Sequence, residues 1–202
     1  MAIGKPAHFD LSGAPIPTPT ATPGAAVCGA VPVTGCKLTI GPQKAQLQIR
    51  ARTPSTKNRL LWKWKGAATT KPEFGNPVTS TGYSLCIYDG NADLISTEAI
   101  PAGGDCNAAS PRPCWRESAS GFRYIDRDLT PSGIQQLVLK AGASGKAQIT
   151  VRGRGALLDM PPLPVSTLPI RVQLVGSNGA CFEARYSTTL RNQTDQLKAK
   201  AD

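Results

Sequence analysis

"LLWKWKG", residues 60–66, decides how the chain is read. Two tryptophans stand two positions apart, and each is followed by a lysine. On a strand, successive side chains point to opposite faces. Leu60, Trp62 and Trp64 then share one side, and Leu61, Lys63 and Lys65 the other. A platform of tryptophans rimmed by lysines would need both sets on one side, which a regular strand forbids. The tryptophans are therefore expected in a core, each burying ~150–250 Å², with the lysines in water.

The period of two continues on both sides of this stretch. "AQLQIRAR" (45–52) sets Leu47, Ile49 and Ala51 against Gln48, Arg50 and Arg52, the pattern of a half-buried strand. "TPSTKN" between the two is turn-like. Downstream, "YSLCIYD" places Tyr83, Leu85 and Ile87 on one side and Ser84, Cys86 and Tyr88 on the other, then turns at "GNAD" into "LISTEAI". "IQQLVLKA" and "KAQITVRG" form the clearest hairpin, and "IRVQLVG" and "ACFEARYS" another around an Asn-Gly turn. "CWRES" and "GFRYID" are shorter candidates. "ALLDMPPLPVSTLP" is extended and suited to covering a sheet edge. The sum is about nine or ten short strands with regular turn signals and no convincing long helix, which predicts an all-β, antiparallel, disulfide-stabilised sandwich.

The 202 residues are 40% hydrophobic and 18% charged, as in a folded domain. Residues 1–26 are rich in Pro and Thr and are read as a linker. Residues 27–190 are read as the sandwich, and 191–202 as a polar tail, a frayed strand end or one helical turn. No apolar run reaches the ~20 residues of a membrane span, and no signal peptide follows Met1. Six cysteines nevertheless suit an oxidising compartment. The expectation is the end of a longer exported chain, or a reading frame entered at an internal start, with an extracellular or cell-surface location.

Six cysteines allow many pairings. The pairing expected is Cys28–Cys36 and Cys106–Cys114 as small loops, with Cys86–Cys181 as a staple between sheets. No C-x-x-C pair exists, so structural disulfides are expected rather than a metal site.

The only histidine is His8, in the linker. Ser–His–Asp and Cys–His catalysis therefore lack a base in the folded region, and no motif for a cofactor is present. Carboxylates remain. Asp126 and Asp128 lie two apart, but "YIDRDLTPSG" reads as a strand end entering a turn, where Asp serves local hydrogen bonds. "DGNAD" copies the first ligands of a calcium loop at Asp89, Asn91 and Asp93, then fails at Leu94 and Ile100. A carboxylate-dependent, glycan-active enzyme would need at least two of Asp89, Asp93, Glu117, Asp126, Asp128 and Glu183 facing each other across a cleft. Trp115, beside Cys114, is the tryptophan expected to be exposed or packed on a disulfide.

The net charge is +10, and no acidic residue falls between Asp10 and Glu73. Arg50, Arg52, Lys63 and Lys65 project from the polar faces of the first two strands, with Arg152 and Arg154 as a second group. Such a surface attracts polyanions. "RGRGA" (152–156) has the flavour of a nucleic-acid segment, but two repeats at a strand end and an exported context argue against nucleic acid.

"LLWKWKGAATT", "YSLCIYDG", "PAGGDC", "GFRYID", "LVLKAG", "GKAQITVRGRG", "VQLVGSNGACFEARYS" and "KAKAD", in this order, resemble an uncharacterised module at the C-termini of exported proteins of environmental bacteria. The likeness runs from about Lys37 to the end, with Phe182 standing where a Trp is expected. It implies an accessory module and supplies no catalytic residue. The function expected is therefore non-catalytic adhesion or accessory binding of anionic polysaccharide or envelope surface through the basic face. A structural cap or export module without ligand is the alternative.

Overall fold

The computed structural model describes residues 26–202; the Pro/Thr linker with His8 lies outside the described residues. The chain is all-β. Strands β1 (Lys37–Leu38), β2 (Ala45–Arg50) and β3 (Arg59–Lys65) come first, then β4 (Tyr83–Tyr88) and β5 (Leu94–Ile100). β6 (Trp115–Ser118), β7 (Gly121–Ile125), β8 (Ile134–Lys140) and β9 (Gln148–Arg154) form a meander. β10 (Ile170–Gly176), β11 (Cys181–Tyr186), β12 (Arg191–Gln193) and β13 (Gln196–Lys200) complete the chain.

These strands make two packed sheets. The smaller has the order β1-β11-β10-β4-β5 and the larger β12-β13-β2-β3-β9-β8-β7-β6. All pairings are antiparallel except β1 on β11, which is parallel. The expected sandwich is therefore present, with more strands than expected because β1, β12 and β13 join its margins.

The inner faces read as the alternation predicts. Leu47, Ile49, Leu60, Trp62, Trp64, Ile149 and Val151 of the large sheet meet Tyr83, Leu85, Val172, Leu174, Phe182 and Tyr186 of the small one. Trp62 is fully buried and Trp64 is 1% exposed. Each indole also needs an acceptor once out of water. Trp62 Nε1 donates to Tyr186 Oη and Trp64 Nε1 to the Glu183 carbonyl, both at 3.0 Å. Both bonds run from β3 to β11 and tie the two sheets together. Gly66 closes the opening stretch for a steric reason: a Cβ there would stand 1.8 Å from Trp64 Cζ2. The indole needs that space.

Three expectations are corrected. Residues 191–202 are not a tail: β12 and β13 extend the large sheet, and Leu197, Ala199 and Ala201 are buried. The disulfides are Cys28–Cys86, Cys36–Cys181 and Cys106–Cys114. Only the last was expected. Cys86 and Cys181 point away from the core on β4 and β11, which flank β10, so each instead meets a cysteine of the N-terminal segment. That segment, 26–36, is part of the fold and lies on the outer face of the small sheet. Gln173, fully buried, holds it by accepting from Val33 N at 3.0 Å and donating to Val33 O at 2.7 Å. The third concerns Trp115, which is buried rather than exposed and shares a core cluster with the disulfide cysteine Cys114. It is 2% exposed, lies 5.2 Å from the Tyr124 ring between centroids, and donates to Pro101 O at 2.8 Å.

The proline-punctuated stretch between β9 and β10 crosses between sheets beside edge strand β5. Thr97 N of β5 donates to Asp159 Oδ2 at 2.8 Å, and Asp159 N donates back to Glu98 Oε1 at 3.0 Å. An otherwise open edge is covered there by side chain and loop.

Candidate anion-binding face

The outer face of the large sheet takes every second residue of its strands, so cross-strand register decides which charges meet. One row across the sheet reads Arg50, Arg59 and Arg154, directly opposite one another on β2, β3 and β9. The next runs from Arg191 through Lys198, Gln48 and Leu61 to Arg152 and Gln136. A third holds Lys200, Gln46, Lys63, Thr150, Val138, Arg123 and Arg116. The fourth carries Lys65, Gln148 and Lys140. Cations and glutamines dominate every row, and among the described residues no carboxylate lies on the face. Glu117 of β6 is on the core side of its strand, opposite Phe122, and pairs with Lys71 at the sheet's end.

Sequence reading placed Arg50, Lys63 and Lys65 here correctly, and it treated Arg152 with Arg154 as a separate group. The structure makes them one surface, because β9 pairs with β3. Arg52 differs. It lies beyond the end of β2 and pairs with Asp195 of the β12–β13 turn at 2.8 Å, so its charge is locally answered. Arg59, Arg116, Arg123, Lys140, Arg191, Lys198 and Lys200 were missed. For Arg59 the signal was its parity with Lys63 and Lys65; for the others strand order was needed. Among the described residues no aromatic ring lies on the face either. Trp62, Trp64 and Trp115 lie inside, so the face offers charge and hydrogen bonds rather than stacking surface.

At one end of its central strands β2, β3 and β9 the face deepens into a shallow groove of about 350 Å³, lined by Gln48, Arg50, Arg59, Gln135, Arg152 and Arg154 among others. Gln135 is the extra residue of a bulge in β8, where the register shifts between Ile134 and Gln136. A bulge redirects a side chain at the point where it occurs. Arg59 Nη1 donates to the Asn58 carbonyl at 3.0 Å. Arg154 Nε is buried and has no hydrogen-bond partner among the described residues.

Five of the six carboxylates considered for catalysis, all but that of Asp93, do local work. Asp126 is buried and accepts from Asp128 N and Thr130 N, both at 2.8 Å. Asp128 accepts from Asn107 N and Ala108 N at 2.8 Å and so holds the Cys106–Cys114 loop. Asp89 accepts from the Thr167 hydroxyl and from Asn91 N and Asp93 N, and these bonds, that of Thr167 foremost, hold its pKa below the usual carboxylate range. Asp93 is exposed, and its main-chain carbonyl closes the same turn by accepting from Asp89 N. Glu183 lies on the outer face of the small sheet with Arg185 at 2.8 Å and Gln173 beside it. Glu117 has Lys71. No cluster of three or more His, Cys, Asp or Glu able to hold a metal occurs among the described residues.

One acid escaped the sequence reading. Glu98 of β5 is fully buried. Burial, then the charge of Asp159, push its pKa up to about 9. Its Oε2 has no hydrogen-bond partner among the described residues.

Comparison with protein families, with curated proteins and with solved structures finds no match to this chain.

Proposed function

We propose that the protein is a non-catalytic accessory module of an exported protein, and that the outer face of its large sheet binds anionic polysaccharide of an envelope or extracellular matrix. One observation carries the reading: a face of cations and glutamines, without a carboxylate among the described residues. Like charges packed at this density repel one another, and an anionic polymer relieves that repulsion along its length. Glutamine amides between them donate to and accept from hydroxyls and acetamido groups. Without exposed rings, the face lacks the stacking platforms typical of single-stranded nucleic-acid binders. The three disulfides suit an oxidising, non-cytoplasmic compartment. No helix among the described residues is long and apolar enough to cross a membrane.

The test is binding to an immobilised uronate or sulfated polysaccharide, with a neutral glucan as control. Binding is expected at low salt, falling steeply towards about 0.5 M salt as charges are screened. Reversal at Lys63→Glu and Lys65→Glu is expected to reduce it at least about tenfold. A folded protein that binds neither polymer at low salt would leave the ligand-free structural cap as the better reading.

A further inference from the structure

We infer that the groove at the Arg50–Arg59–Arg154 row is a discrete subsite for one oxyanion group of the polymer, a sulfate, phosphate or carboxylate. The inference rests on the polymer-binding reading above and adds where, and by what chemistry, an anionic substituent is recognised. Its first ground is register. Arg50 lies directly opposite Arg59, and Arg59 directly opposite Arg154, on three adjacent strands. Directly opposed like charges destabilise a sheet. Arg152 stands two residues along β9 from Arg154 on the same side. Among the described residues none of these four guanidinium groups pairs with a carboxylate.

The second ground is the kind of cation. Lysines occupy much of the rest of the face, whereas the groove collects arginines. A guanidinium presents planar, paired N–H donors that match the two oxygens of an oxyanion, which an ammonium does not. The third ground is the orphan donor. Arg154 Nε is removed from water and has no partner among the described residues. Such a donor is costly unless a partner arrives. An oxyanion in the groove supplies acceptors to that donor and a negative charge to the surrounding guanidinium groups. Gln135, brought to the rim by the bulge, and Gln48 add neutral donors and acceptors.

The experiment uses inorganic sulfate and phosphate as probes, then the polysaccharide, on the wild type and three variants. In Arg59→Gln/Arg154→Gln the like-charge contacts are relieved, so the variant is expected to fold and to melt no lower than wild type in anion-free buffer. Arg59→Lys/Arg154→Lys keeps the charge and loses the fork. Lys63→Gln/Lys65→Gln leaves the groove intact. At ten times Kd the probes are expected to raise the wild-type Tm by about 3–6 °C. Both arginine variants should lose that rise, and the lysine variant should keep it. General salting effects of sulfate act on all four proteins alike and cancel in the comparison. Polymer affinity should fall at least about tenfold in the arginine variants. A probe response equal in wild type and Arg59→Gln/Arg154→Gln, or no response to any probe in wild type, overturns the subsite. If the polymer still binds in that event and weakens in the lysine variant, the face reading stands without it. If probes bind in the groove but no polymer binds, the subsite is for a free small anion, and its assignment to a polymer is overturned.

Discussion

The indole N–H of Trp62 donates to the phenolic oxygen of Tyr186, 3.0 Å away, from the centre of one sheet to the other. Both residues are fully buried. Removing one partner strands the other in the core, which costs about 1–3 kcal/mol beyond lost packing. Trp62→Phe and Tyr186→Phe are each expected to lower stability in urea unfolding. The double variant should cost less than the sum, because no orphan remains. Tyr186 should also resist titration in the folded protein, since burial holds its phenol above the ordinary range.

Gly66 is expected to be intolerant of the smallest side chain. A Cβ there falls 1.8 Å from Cζ2 and 2.2 Å from Cη2 of Trp64. Either the indole leaves its rotamer and its bond to Glu183 O, or the strand end moves. Overpacking of this kind costs about 1–3 kcal/mol. Gly66→Ala should lower the denaturation midpoint and change the near-ultraviolet spectrum of the tryptophans. Gly35→Ala separates the two causes of glycine intolerance: its φ of 77° strains any side chain, but its Cβ would meet nothing within 4 Å, so the tryptophan spectrum should not change.

Much of this core was legible from parity alone. The period of two at residues 60–66 put both tryptophans inside before any pairing was known. Parity held a further message about the cysteines. Cys86 alternates with Leu85 and Ile87, and Cys181 with Phe182, so both face away from the core and cannot join the sheets. Their actual partners lie in a segment with no period at all, whose place depends on tertiary contacts such as the Gln173 clamp. The basic face was half legible for a related reason. Arg50, Lys63 and Lys65 sit on a local hairpin. Joining them to Arg152 and Arg154 requires β3 to pair with β9 across intervening strands, and no local pattern encodes that neighbour. The C-terminal strand was read as no more than a frayed strand end or a helical turn, because of its inward residues only Leu197 carries a strong hydrophobic signal, and Ala199 carries little.

The N-terminal segment is expected to behave as a covalently held strap. Non-reducing peptide mapping should find Cys28 linked to Cys86 and Cys36 to Cys181. Cys36→Ser/Cys181→Ser opens a long loop and is expected to cost about 2–5 kcal/mol. Gln173→Leu should loosen the same segment with both bridges intact, since Val33 then loses the partners of its N–H and C=O. Faster amide exchange at Val33 than in the wild type is the measurement. Unchanged exchange there would refute the clamp.

Glu98 gives the protein a pH dependence of defined sign. The ordinary carboxyl pKa of 4.5 is raised to about 9 in the folded chain by burial and by Asp159. The folded state therefore holds a proton that the unfolded chain has already released across that interval. This contribution to stability is complete below about pH 4.5, declines as pH rises, and is gone above about pH 9, with a limiting slope of about 1.4 kcal/mol per pH unit. Glu98→Gln keeps the shape and the acceptor for Asp159 N but cannot ionise. Its stability is expected to exceed that of the wild type at pH 8 and to approach it at pH 4.5. Asp159→Asn should flatten the wild-type slope only in part, because desolvation, the larger cause, remains. Urea midpoints from pH 4.5 to 8 read both effects. Parallel profiles for wild type and Glu98→Gln would show that the buried carboxyl is not the group that titrates.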